Sequence, residues 1–276
     1  MSWHALRVTP GTEREAVIAA LFASGAEGVH EDGALVVTHF PSDVAAHAAA
    51  AAVHRADPAA RTEIALAADV DWSLAWRDRL GAYPLGSLTI VPPWMSGGRD
   101  PARTIVVEPG MAFGTGDHPS TRGAGRLLEH AMRTMRSGAV VADLGTGSAV
   151  LAVAAAKLGA QAIHAIEIDP EAFGNARHNI AANGVDDAVT LLEGDAGALL
   201  PVVAPLDLIV ANIISSVLLP LLPVMRAALR PSGCAILAGL LAYERETVMA
   251  ALASGGWRLV RDDLEEDWWS ALIAPA

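Results

Sequence analysis

A doubly wound α/β sheet preceded by a small ferredoxin-like α+β domain is the fold class this sequence predicts, on three observations. From Ala139 onward, near-continuous apolar strands alternate with helical stretches. A glycine-rich turn, Gly145-Thr146-Gly147, follows the first of those strands and opens a helix. Before this region, residues 1–66 read strand, helix, strand, strand, helix, strand. A chain of 276 residues has room for one full-sized domain and a smaller one.

Trp3 to Val8 reads as a short strand, and Thr12 with Glu15 three residues later has the pattern of a capping box. Val17, Ala20, Leu21 and Ser24 then recur at helical spacing until Gly25 ends the helix. Asp32-Gly33 between two apolar runs marks a hairpin, and Ser42 is placed to cap an Ala-rich helix reaching about Arg55. Arg61 to Leu66 closes this first domain, taken as residues 1–66. Residues 67–109, with Trp72, Trp76, Trp94, Pro84, Pro92 and Pro93, read as a linker region. The second domain, residues 110–276, has strands at Ala139–Leu144, Ala162–Ile168, Val189–Leu192, Leu206–Ala211 and Cys234–Leu240. Such apolar strands separated by helices form a parallel sheet covered on both faces. Trp257–Arg261 and Trp268–Ile273 add a terminal hairpin.

The composition is 53% hydrophobic and 18% charged, which excludes a disordered chain. With 19 basic and 31 acidic residues the formal charge is −12, against nucleic acid as a direct partner and compatible with a basic protein one. Cys234 is alone, so an internal disulfide and a cysteine zinc site are excluded; its apolar run suggests a buried, inert thiol. The nine histidines show no metal-ligand spacing. The start has no secretory pattern, and the apolar stretch Leu199–Met225 is broken by Pro205, Asp207, Asn212 and Pro220. A cytoplasmic protein without membrane contact is expected, and nothing requires more than a monomer.

Two ligand classes use a strand-to-helix glycine turn, and the neighbouring residues separate them. A dinucleotide fingerprint wants a third glycine where Val150 stands, and it would set a pyrophosphate near the carboxylate of Asp143. S-adenosylmethionine has no phosphate and carries a sulfonium cation, so Asp143 near that end is favourable. Glu167 ends the second strand, 167 − 147 = 20 residues past Gly147, where a carboxylate can accept both ribose hydroxyls. Asp195, after the third strand, is placed toward the adenine. These acidic strand ends favour the methyl donor over a nicotinamide cofactor. The bland alternative is that they only cap helices. Residues 108–122, with Phe113, Thr115 and several glycines, read as a ligand-covering flap in which His118 is a general base or a loop-stabilising residue. Asn212, a polar residue ending an apolar strand, is expected to bind ligand or to cap the next helix.

These segments together resemble the PrmA-type family of bacterial ribosomal protein L11 methyltransferases. The motifs are Gly110-Met111-Ala112-Phe113-Gly114-Thr115-Gly116-Asp117-His118-Pro119-Ser120-Thr121, Asp143-Leu144-Gly145-Thr146-Gly147-Ser148, Ala165-Ile166-Glu167-Ile168-Asp169-Pro170 and Val210-Ala211-Asn212-Ile213. The resemblance implies a Rossmann-like methyltransferase sheet, S-adenosylmethionine as donor and amines of ribosomal protein L11 as acceptors, both lysine and N-terminal. It also implies donor-binding roles for Thr121, Gly145, Glu167 and Asn212; apart from the resemblance, the side-chain oxygen of Asn212 is expected to accept from the incoming amine and aim its lone pair. Phe113, Thr115, Asp143, Gly147 and Asp195 complete the expected donor site. The family usually has Asp where Glu167 stands and a third glycine where Ala149 stands. Competing expectations are a related lysine methyltransferase with another protein substrate, or a donor-binding protein without transfer activity.

Overall fold

Alternating burial along short strands builds the N-terminal core. The computed structural model describes residues 3–26, 28–33, 35–66, 80–109 and 114–276, in two units, Met1–Leu80 and Gly81–Ala276. In the first unit, β1 (His4–Thr9), β2 (His30–Asp32), β3 (Leu35–Phe40) and β4 (Arg61–Leu66) form an antiparallel sheet in the order β2-β3-β1-β4. Leu6, Val8, Val36 and Phe40 pack from it onto Val17 and Leu21 of α1 (Arg14–Ala23) and Ala46, Ala49 and Val53 of α2 (Asp43–Ala56). This is the expected ferredoxin-like order. Ser42 caps α2 by accepting the Ala45 N–H at 3.2 Å.

The Thr12 capping box does not form. Glu13 occupies the N-cap without a side-chain bond, and a remote carboxylate replaces the local one. Asp57 Oδ2 accepts the N–H groups of Gly11, Thr12 and Glu13 at 2.7, 3.2 and 3.3 Å, while Oδ1 takes that of Ala59 at 3.0 Å. The unpaired amides ahead of a helix need an acceptor, and tertiary structure supplies it here.

In the second unit, β5 (Tyr83–Leu85), β6 (Leu88–Val91) and β7 (Thr104–Val106) make a small mixed sheet from residues expected as linker. Trp72 and Trp76 of that expected linker lie outside the described residues. Next come α3 (Pro119–Thr134), β8 (Val140–Leu144), α4 (Val150–Lys157), β9 (Ala162–Glu167), α5 (Pro170–Ala182) and β10 (Val189–Glu193). The chain ends with α6 (Ala196–Val203), β11 (Leu206–Asn212), α7 (Ser215–Ala228), β12 (Leu229–Leu241), α8 (Arg245–Ser254), β13 (Trp257–Glu265) and β14 (Trp268–Pro275). The sheet order is β10-β9-β8-β11-β12-β14-β13. Its first five strands are parallel, and β14 runs antiparallel to both neighbours.

One face packs on α3, α4 and α5 through Leu127, Leu128, Val153 and Ile180. The other packs on α6, α7 and α8 through Leu200, Leu222, Met225 and Val248. Two covered faces explain the uninterrupted apolar strands. Cys234 is partly buried among them, and burial pushes its thiol up to about 11, which disfavours the reactive thiolate. Among the described residues, no helix is long and apolar enough to cross a membrane.

Burial alone would raise the Asp57 carboxyl, but its four backbone donors hold it below the usual carboxylate value. Its contribution is therefore present above pH 3.8 and lost as the pH falls through the lower folded value. Asp57→Ala is expected to lower the melting temperature by several degrees at neutral pH. Thermal melts across pH should show that difference fading below pH 3.8.

Candidate active site

The functional residues gather where the parallel strands end. Register places Leu144 of β8 between Ile166 of β9 and Ala211 of β11, so Glu167 and Asn212 flank the turn that Gly145 opens. A crevice outside the carboxyl ends of such strands is where open α/β sheets bind ligands. A cavity of about 810 Å³ lies there, within the range of small-molecule sites. Gly145, Gly147, Glu167, Asp195 and Asn212 of the expected set all line it.

Glu167 holds the glycine turn in place. Its Oε2 accepts the Gly147 N–H at 2.8 Å, and Oε1 accepts those of Ile168 and Asp169, both at 2.9 Å. A carboxylate offers about four acceptor positions. These backbone bonds leave capacity for one ribose hydroxyl on Oε2, where the sequence suggested two. The left-handed conformations at Gly145 (φ 63°) and Gly147 (φ 54°) are the ones glycine adopts without strain. Ala149 shares that conformation (φ 64°) with its methyl fully buried.

Several expected donor contacts stand behind the wall instead of on it. Asp143 is buried, and its Oδ2 accepts the Thr146 hydroxyl at 2.6 Å and the Ala152 N–H at 3.1 Å. It braces the turn against α4 and does not line the cavity. Thr121 is fully buried in the first turn of α3, where its Oγ1 accepts from Asn212 Nδ2 at 3.3 Å. Thr115 points its hydroxyl at Asp117 Oδ1, 2.5 Å away, and is not a wall residue. Phe113 lies outside the described residues. Asp195 caps α6 through the Ala198 N–H at 3.0 Å and also lines the cavity.

Asn212 does not cap the next helix, since Ile214 occupies that N-cap. Thr121 holds its Nδ2, and its Oδ1 is buried without a hydrogen-bond partner among the described residues. His118 caps α3: its Nδ1 accepts the Ser120 N–H at 3.2 Å and lies 2.7 Å from Ser120 Oγ. The neutral ring thus carries its proton on Nε2. Burial holds its pKa below the ordinary value; Asp117 opposes that effect and Arg122 adds to it. Arg122 Nε donates to Glu265 Oε1 at 2.7 Å, and Arg126 Nε to Asp263 Oδ2 at 2.9 Å. These pairs fasten α3 to β13, and the Trp268 ring meets His118 edge-on with centroids 4.4 Å apart.

Sequence reasoning missed Trp268, Gly239, Ile213, Ile214 and Val217 as lining residues. Gly239 had a readable signal, an isolated glycine inside an apolar strand, which marks close backbone approach. Its φ is 77°, and an added Cβ would stand 2.8 Å from the Ile213 carbonyl oxygen. Trp268 reaches the cavity only because β14 returns antiparallel beside β12.

Taken together, the strand order, the glycine turn at the sheet's switch point and the acidic strand ends define an S-adenosylmethionine-dependent methyltransferase. Residues 9–274 match the family model described as ribosomal protein L11 methyltransferase (PrmA), and the chain belongs to that family. A ribosomal protein L11 methyltransferase of Chloroflexus aurantiacus is 36% identical over 240 residues, 78% of this chain and 72% of that protein. One from Bacillus cereus (strain Q1) is 32% identical over 280 positions, covering 95% and 86% of the two chains. Among solved structures, the ribosomal protein L11 methylase of Lactobacillus delbrueckii subsp. bulgaricus superposes with a TM-score of 0.61 at 32% identity. That match covers 70% of this chain and 98% of the other.

The site fits the donor. Added Cβ atoms at Gly145 and Gly239 would both crowd Ile213, so these glycines keep the crevice open. Gly239→Ala is expected to destabilise by about 2 kcal/mol or more, because its Cβ meets backbone. Gly145→Ala should be milder, since the single atom in its way is a side-chain carbon, Ile213 Cγ2 at 2.7 Å, whereas Gly239 faces three backbone atoms. Denaturant titration of both variants checks that order.

Burial pushes Asp143 up to about 6; the bonds from Thr146 and Ala152 oppose the rise and Glu167 adds to it. A raised carboxyl favours the folded state most below pH 3.8, and that advantage is lost as the pH rises through 6. The unsubstituted chain should therefore gain roughly 2 kcal/mol relative to Asp143→Asn on moving from about pH 7.5 to 4.5. Parallel stability curves for the two proteins would refute this.

Proposed function

We propose that this chain transfers methyl groups from S-adenosylmethionine to lysine side chains and the N-terminal amine of ribosomal protein L11, in the cytoplasm. Family membership supports the substrate, and the observation that carries the chemistry is the buried Oδ1 of Asn212, a cavity-lining residue, which has no hydrogen-bond partner among the described residues. A buried acceptor without a partner is unfavourable until a donor arrives, and an incoming amine N–H is such a donor.

When bound, the donor supplies a methyl group on a sulfonium, open to in-line displacement. Glu167 would hold its ribose, Asp195 would face its base and the Gly145–Gly147 turn would admit its close approach. The residues around Asn212 prepare the acceptor. Only a neutral amine has the lone pair required, whereas a lysine amine near pKa 10.4 is mostly protonated at neutral pH. Ile213, Ile214, Val217 and Trp268 give that end of the cavity an apolar lining, which disfavours the ammonium form. Thr121 fixes the Asn212 amide by holding its nitrogen, so the oxygen is the face left for the amine. Rate enhancement then comes chiefly from orientation, which supplies several kcal/mol. The first unit, with its own core, is assigned to holding the protein substrate.

Transfer of labelled methyl from S-adenosylmethionine to purified ribosomal protein L11, followed by mass spectrometry, tests the proposal. Label entering another protein alone, or donor binding without transfer, would reject it. Asn212→Ala is expected to depress turnover 10-fold or more while weakening donor binding about threefold or less. Equal losses in both would make Asn212 a donor ligand only.

A further inference from the structure

Asn175, Asn179 and Asn183 recur every four residues along α5 and its C-cap. Asparagine is a poor helix former, since its side chain competes for backbone partners. Here the three amides face the segment that runs from β7 toward residue 109. Asn183 Oδ1 accepts the Val106 N–H at 2.9 Å, and its Nδ2 donates to the Val106 carbonyl at 2.6 Å. One helical turn earlier, Asn179 Oδ1 accepts the Glu108 N–H at 2.8 Å and Asn175 Nδ2 donates to the Glu108 carbonyl at 3.1 Å. Four helical residues rise about 6 Å, and two extended residues span about 6.6 Å, so the two repeats match. Val107 faces the other way and donates to the Val91 carbonyl at 3.0 Å. The asparagines thus act as a neighbouring strand for an edge without one.

Asn179 makes one bond of a different kind. Its Nδ2 donates to the Ser148 carbonyl at 2.9 Å, at the end of the glycine turn, and the residue is fully buried. Ser148 Oγ in turn donates to the Gly114 carbonyl at 2.7 Å. A single amide therefore touches both the glycine turn and the chain entering residues 110–113, and Ser148 ties that turn to the chain leaving them.

We propose that Asn179 is a positioning residue that sets the glycine turn against the 104–109 segment, so that donor affinity depends on it although it does not line the cavity. The proposal rests on the reading of this cavity as the S-adenosylmethionine site. Asn183 is the internal control, because it bonds the same segment but not the turn.

Calorimetry with S-adenosylmethionine and steady-state kinetics on the full chain test it with Asn179→Ala and Asn183→Ala. Asn179→Ala should raise the donor Kd and KM about tenfold while kcat at saturating donor changes less than threefold. Asn183→Ala should lower the melting temperature yet leave the donor Kd within twofold. Equal weakening by both variants, or none by the first, overturns the proposal. If Asn179→Ala does not fold, Asn179→Asp keeps the acceptor for Glu108 and loses the donation to Ser148, and Asn183→Asp becomes its control under the same criteria. An unsubstituted chain that binds no donor would reject the donor-site reading; hydrogen exchange then decides the positioning role. Loss of amide protection at both Glu108 and residues 146–149 in the Asn179 variant supports it, and loss at Glu108 alone overturns it.

Discussion

The bond from the Gly147 amide to the Glu167 carboxylate is the constraint on which the site depends. It joins the turn after β8 to the end of β9, and through Ile168 and Asp169 it shapes the chain that leads into α5. A turn with two residues in the left-handed region has many alternatives open to it, because glycine loses more backbone freedom on ordering than any other residue. A charged acceptor on a rigid strand end selects one of them. The same residue also lines the cavity, so the group that would meet the ligand is the group that holds the ligand's cradle.

Asp143 extends this logic one layer down. It secures Thr146 within the turn and Ala152 in the first turn of α4, so the two acidic strand ends pin the loop from opposite sides. Burial opposes the ionisation of Asp143, and the nearby Glu167 carboxyl adds to that effect. A ligand carrying positive charge near this end relieves that effect, and one carrying phosphate aggravates it. Asp143 does not touch the cavity, so any preference it gives for a sulfonium donor would act through charge at a distance and not through a hydrogen bond.

The sequence made the strand positions, the first-domain topology and the floor of the site legible. Periodicity reports burial directly, and glycines and strand-end carboxylates sit in single short segments. What it hid depends on contacts between distant segments. Asp57, which holds the amides of residues 11–13 ahead of α1 from more than forty residues away, is one such case. Trp268 against His118 is another, since it requires the final antiparallel hairpin and the Arg122 and Arg126 ion pairs that fasten it. Residues 83–106 looked like linker because strands of three or four residues are too short to show a period. Thr121 was assigned to the donor on the strength of a resemblance, but its neighbour is Asn212. No local pattern could indicate that pairing, because the two residues are 91 positions apart.

That pairing also bears on how the site would work. His118 is a weak candidate for taking a proton: its Nδ1 already faces the Ser120 amide and hydroxyl, and its remaining nitrogen carries hydrogen in the neutral ring. The amide oxygen of Asn212, in contrast, has no hydrogen-bond partner among the described residues. An amide oxygen cannot remove a proton at neutral pH, but it can hold one N–H and so aim the nitrogen lone pair. Under the proposed reading, selection of the neutral amine would fall to the apolar lining, where desolvation penalises the ammonium form, and the proton would depart to water before the amine settles. Specificity for nitrogen and the orientation of its attack would both arise from one buried oxygen held in place by a threonine.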